Sequence, residues 1–163
     1  MFKIKLLILL FLSFYISACS SQNTYDKSNR FSVDYIEGGI DGRNLSNLLI
    51  SYLKTYGLYS SNSPFLIKSK IAHKQNLYIP RIDNTSDREL IRSTMLIDLI
   101  NNQKNCLIAN FELENEQFYV IASSKNNISN NKAIEEIKFN NTEALVHDLI
   151  SLIEDIQLEC SND

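Results

Sequence analysis

Two consecutive runs of alternating residues constrain this chain more than any other feature. Between Arg88 and Ile100, the residues Ile91, Ser93, Met95, Ile97 and Leu99 share one side of a two-residue period, and Arg92, Thr94, Leu96 and Asp98 share the other. In the next run Leu107, Ala109, Phe111 and Leu113 alternate with Ile108, Asn110, Glu112 and Glu114. The intervening Asn101-Asn102-Gln103-Lys104-Asn105 is a hairpin turn by composition, because Asn tolerates positive φ. Half-buried antiparallel strands have this pattern, with apolar residues on the covered face and polar ones on the wet face. Asn115-Glu116-Gln117 interrupts the alternation before Phe118 to Ala122 resumes it, and both a bulge and a second tight turn fit that interruption.

Upstream, Phe31 to Ile36 reads as a first strand ended by Gly38-Gly39. Leu45, Leu48, Leu49, Tyr52 and Leu53 recur at helical spacing, so Asp41 to Tyr56 is a helix, capped by Asp41 or Asn44 and stopped by Gly57. Phe65 to Gln75 is a second strand. Its core face is Phe65, Ile67, Ser69, Ile71 and His73, and its outer face is Leu66, Lys68, Lys70, Ala72 and Lys74. His73, at the end of the core face, reads as an edge-of-core histidine with a hydrogen-bond partner. Arg81 to Ser86 is a polar connection and Lys125 to Asn131 a polar loop. From Asn131 the chain is helical, with an apolar stripe of Leu145, Leu149, Leu152, Ile153 and Ile156 and a possible break at Asn140-Asn141. The order strand, helix, three strands, helix implies an α+β fold: a four-stranded mixed, largely antiparallel sheet with two helices packed on one face.

The first nineteen residues set the compartment. Lys3 and Lys5 precede an apolar run from Leu6 to Ile16, and small residues close it, as in a secretory signal. The run spans about 16 Å as a helix, about half of a hydrocarbon core. Ile16-Ser17-Ala18-Cys19 resembles the lipobox of bacterial lipoproteins, which implies cleavage after residue 18 and acylation of Cys19. The expected organisation is a cleaved signal at 1–18, a lipidated flexible tether at 19–29, a single domain at 30–158 and a short tail at 159–163. Ser20 to Asn29 is polar and without periodicity, and ten such residues reach about 17 Å. Lipoproteins retained at the inner membrane commonly carry Asp after the acylated Cys. Ser20 stands there in this chain, so the resemblance points to the outer membrane.

Few chemistries survive the remaining composition. Removal of Lys3 and Lys5 leaves 14 basic against 19 acidic residues, a balance that gives no support to nucleic-acid binding. His73 and His147 have no neighbouring ligand at metal spacing, so no metal site is expected. Gly38-Gly39 lacks the following Lys-Ser/Thr of a phosphate loop, and no nucleophile motif accompanies His147-Asp148. Neither an enzyme nor a cofactor is therefore expected. Cys106 and Cys160 form an even pair in an exported chain, either a disulfide or two buried thiols. Lys68, Lys70 and Lys74 on the second strand, with Arg92 on the third, are candidate partners for lipid phosphates. Their competing reading is an ordinary charged sheet face on which Glu112 and Glu114 offset them.

The lipobox, the strand followed by a Leu-rich helix, the long hairpin around Leu96-Ile97-Asp98-Leu99-Ile100-Asn101-Asn102-Gln103-Lys104-Asn105 and the closing amphipathic helix together resemble the lipopolysaccharide-assembly lipoprotein family LptE, in its alphaproteobacterial style. Thr94 to Leu113 and Asn131 to Ile156 carry most of the likeness. The chain departs from the family at Ala122-Ser123-Ser124-Lys125, where a Ser-Tyr pair usually follows the last strand. The resemblance implies a non-enzymatic, lipid-anchored outer-membrane protein that plugs or assists an LptD-like β-barrel and meets lipopolysaccharide. The alternative of another class is an accessory lipoprotein of an ABC-type lipid transport system.

Overall fold

The structure is a computed structural model that describes residues 30–78, 88–120, 127–154 and 156–160. The signal segment, Cys19, the tether, the Arg81–Ser86 connection and residues 121–126 lie outside the described residues. The elements are β1 (Phe31–Val33), α1 (Gly39–Thr55), β2 (Phe65–Tyr78), β3 (Arg88–Asn101), β4 (Cys106–Val120) and α2 (Asn127–Glu154). The sheet has four strands in the order β1-β2-β3-β4, with β1 parallel to β2 and the other neighbours antiparallel. Both helices cover one face, so the α+β arrangement expected from the sequence is the one observed.

Alternation decides which face is covered. Ile67, Ile71, Ile91, Met95, Ile97 and Leu99 are buried, whereas Lys68, Lys70, Lys74, Leu96 and Asp98 on the intervening positions are exposed. Leu45, Leu49 and Leu53 of α1 and Leu145, Val146, Leu149, Ile150 and Ile153 of α2 join the buried strand residues in one core. Each such side chain stabilises the fold by about 1.5–3 kcal/mol relative to exposure.

The helix ends follow from local chemistry. Gly57 (φ 72°) follows α1; its N–H donates to the Lys54 carbonyl at 3.1 Å, and that of Leu58 to the Leu53 carbonyl at 2.7 Å. These two bonds and the buried Leu53 and Leu58 make a Schellman cap, which needs a left-handed residue. The start of α1 differs from expectation. Gly38 occupies the cap position with no side-chain bond, so neither Asp41 nor Asn44 caps it; Asp41 instead sits in the first turn. There a carboxylate complements the helix dipole. Gly42 is required by crowding, because a Cβ there would lie 2.5 Å from the Glu37 carbonyl oxygen.

Several boundaries are corrected. β1 stops at Val33, and Tyr35 is 85% exposed. β4 runs unbroken through Asn115-Glu116-Gln117, which pair with Ser93, Arg92 and Ile91. Its irregularity lies instead at Ile108, where the register shifts between Leu99 and Ile100. That bulge turns Ile108 into the core and leaves Leu107 40% exposed. α2 is continuous across Asn140-Asn141 and starts earlier than Asn131. Its buried stripe takes in Val146 and Ile150, whereas Leu152 is 41% exposed and Ile156 lies past the helix end. The hairpin turn is as read: Asn105 has φ 51°, and the buried Asn101 accepts the N–H groups of Gln103 and Lys104 on Oδ1 at 3.0 and 3.1 Å.

Replacing the fully buried Leu149 by Ala is expected to cost about 2–5 kcal/mol of unfolding free energy. The same change at Leu152 should stay within about 0.5 kcal/mol of the parent, a contrast that urea denaturation measures directly.

Candidate functional site

Antiparallel register places the candidate cations on the open face of the sheet. Lys68, Lys70 and Lys74 stand in one column on β2, and Arg92 lies directly opposite Lys74 on β3. The next column, on β4, is acidic: Glu112, Glu114 and Glu116 lie opposite Leu96, Thr94 and Arg92. The face thus grades from basic at β2 to acidic at β4.

Two of the four cations already have partners. Arg92 Nε donates to Glu116 Oε1 in an ion pair, and Lys68 Nζ lies 3.8 Å from Asp34 Oδ2. Thr94 Oγ1 donates to Glu114 at 3.2 Å. Among the described residues Lys70 and Lys74 enter no ion pair. The structure therefore brings Lys74 and Arg92 together but places three glutamates on the same face. Apolar side chains are interspersed, with Leu96 49%, Phe118 60% and Val120 54% exposed.

A second polar group lies inside the core. His73 Nδ1 and Ser93 Oγ are 2.7 Å apart, and Asn141 Nδ2 donates to Ser93 Oγ at 3.1 Å and to the Ile91 carbonyl at 3.2 Å. Ser93 Oγ accepts from Asn141 and shares a further hydrogen bond with His73 Nδ1, as donor or acceptor according to the ring tautomer. Desolvation by the surrounding core holds the His73 pKa below its ordinary value, opposed by Asp41 and Glu135 and assisted by Lys138. The expected edge-of-core histidine with a partner is therefore observed. Ser93 is fully buried, so no substrate reaches its hydroxyl. Sequence reasoning placed Ser93 on the core face but took Asn141 for a helix break. The signal was its spacing: Asn141 sits four and eight residues before Leu145 and Leu149, on the stripe that packs inward.

Elsewhere, His147 is exposed on α2 and stacks edge-on to Tyr52 at 6.4 Å between ring centroids. The Tyr52 phenol donates to Glu143 at 2.8 Å, and that bond to a carboxylate raises its pKa. Cys106 and Cys160 are joined in a disulfide, with Cα atoms 5.8 Å apart. It ties the segment after α2 to the start of β4, where Ile156 and Leu158 pack against the core. Among the described residues no three His, Cys, Asp or Glu side chains gather at metal distance, and no helix is long and apolar enough to cross a membrane.

No family model matches the sequence, and no curated protein matches it. Solved structures do. A minor lipoprotein from Acinetobacter baumannii superposes with a TM-score of 0.61 at 15% identity, covering 78% of this chain and 93% of that one. The chain shares its fold with bacterial lipoproteins. Rare lipoprotein B from Shewanella oneidensis has a TM-score of 0.52 at 9% identity, covering 76% of this chain and 96% of that one. A hypothetical protein from Chlamydia trachomatis reaches 0.51 at 10% identity, covering 78% and 96% respectively. At these identities the likeness is one of fold, with no residue of a site carried over.

Two measurements follow. A histidine kept neutral by folding binds fewer protons folded than unfolded, so stability is complete above its unfolded pKa of about 6.5 and falls as pH drops below it. Histidine 73 replaced by Gln (H73Q) should flatten that fall in unfolding titrations between about pH 7 and pH 5. Replacing both Cys106 and Cys160 by Ser should lower the unfolding free energy by about 2–5 kcal/mol, and reductant should destabilise the parent but not that variant.

Proposed function

We propose that the chain is a non-enzymatic lipoprotein, acylated at Cys19 and held at the periplasmic face of the outer membrane. There it plugs or assists an LptD-like β-barrel in lipopolysaccharide assembly. The observation that carries this reading is the fold: one covered sheet face, one open face and two helices, shared with rare lipoprotein B and a minor lipoprotein. The lipobox-like segment ending at Cys19 and the family resemblance of the hairpin and last helix agree with it. A fully buried Ser93 beside His73 serves packing better than nucleophilic chemistry, which supports a binding body over an enzyme. Direct phosphate binding by the basic column is not part of this reading, because Lys68 and Arg92 are paired and Glu112, Glu114 and Glu116 share their face.

An acyl anchor makes location part of function. A tether of about 17 Å keeps the domain at the membrane, so its partner must also lie in or at that membrane. The tagged chain, purified from detergent-solubilised membranes, is expected to bring down a large β-barrel and to incorporate labelled palmitate. Cys19→Ala should abolish both the label and the recovery of the barrel from the membrane fraction. Recovery of an inner-membrane ATPase complex in place of a barrel would sink this reading in favour of the lipid-transport alternative.

A further inference from the structure

We infer that the open edge of β2, from Lys68 to Tyr78, docks an extended, alternately acidic protein segment from a partner as an added fifth strand of the sheet. This goes beyond the function proposed above, because it names a mode of attachment and the chemistry of the attached segment.

The first ground is the mismatch between neighbouring strands. β2 has 14 residues, and β1 pairs with three of them, Phe65 to Ile67. The remaining eleven pair with β3 on one side, and no described residue pairs with them on the other. This edge is also regular. Its register with β3 runs without a shift from Phe65 to Tyr78, and it contains no Pro. A long edge without a bulge or Pro is a ready template for strand addition. The opposite edge, β4, is interrupted at Ile108 and lined by Glu112, Glu114 and Glu116.

The second ground is charge, and the chain itself supplies the pattern. Asp34 continues the line of β1 along the β2 edge. Its N–H donates to the Ile67 carbonyl at 3.0 Å while its carboxylate lies 3.8 Å from Lys68. An acidic residue with a backbone bond to the edge therefore already occupies the first position past β1. Beyond it the chain leaves the edge, with Tyr35 exposed and α1 beginning at Gly39. The next outward side chains on β2 are Lys70, Ala72 and Lys74; the two lysines enter no ion pair among the described residues, and β2 contains no acidic residue. In a segment that continues the line of Asp34, outward carboxylates would face Lys70 and Lys74, with the outward position between them facing Ala72. Its intervening side chains would meet the Ser69, Ile71 and His73 side of the sheet, where apolar residues fit best. The same lysines repel a second β2 edge, which disfavours self-pairing.

The test uses the mature acylated chain in detergent and two synthetic peptides of equal length, one alternating Glu with Val and one alternating Lys with Val. Hydrogen–deuterium exchange read by mass spectrometry should show the glutamate peptide slowing exchange within Lys68–Tyr78 and leaving Cys106–Val120 unchanged. The lysine peptide should bind about tenfold more weakly. The exposed pair Lys70→Glu with Lys74→Glu should reverse this preference, and Lys70→Gln with Lys74→Gln should erase it, each with unchanged thermal melting. The inference is overturned by equal binding of the two peptides, by no binding of either, or by protection that appears on β4. It is equally overturned if the Lys68–Tyr78 edge is already fully protected in the chain without peptide.

Discussion

One-sided burial of the sheet governs the whole molecule. β2, β3 and β4 each present a near-continuous apolar row to α1 and α2, and each presents charged residues at the alternate positions. Because the period of a strand is two, this arrangement permits a single register, and a slip by one residue would bury Lys70 and Asp98 in place of Ile71 and Ile97. The bulge at Ile108 belongs to the same logic. It inserts one residue so that both Ile108 and the row from Ala109 to Leu113 face inward, at the cost of exposing Leu107.

Polar groups then make the packing specific. Asn141 on α2 donates to both Ser93 and the Ile91 carbonyl on β3, and Ser93 in turn meets His73 on β2. Apolar contacts alone would let a helix slide along a row of Ile and Leu side chains. A buried amide with two acceptors on β3 fixes where the helix lies, since leaving its buried N–H groups unpaired costs about 1–3 kcal/mol. The disulfide from Cys106 to Cys160 holds the other end, so α2 and the segment that follows it are tied to the sheet at two separated points.

What this frame leaves free is asymmetric in charge. One face and much of two sheet edges remain uncovered by described residues, and the basic column of β2 and the acidic column of β4 give the two sides opposite sign. The fold itself is the one shared with bacterial lipoproteins.

The sequence by itself determined the element order, the turn at Asn101–Asn105, the stop at Gly57 and the covered face of β2, of β3 and of β4 from Ala109 to Leu113, because these depend on local periodicity and backbone chemistry. Ile16-Ser17-Ala18-Cys19 resembles a lipobox in the linear chain. Tertiary structure decided the rest. Asn141 reads locally as a helix breaker, yet the two acceptors that β3 offers hold it within a continuous α2. The interruption at Asn115–Gln117 vanished because Ser93, Arg92 and Ile91 across the ladder pair with it, and the real bulge sat at Ile108, where local alternation looked regular. Whether Cys106 and Cys160 meet, and whether the four cations form an isolated cluster, depended on distances between segments far apart in the chain. Spacing along a sequence carries no information about such distances until the sheet is paired.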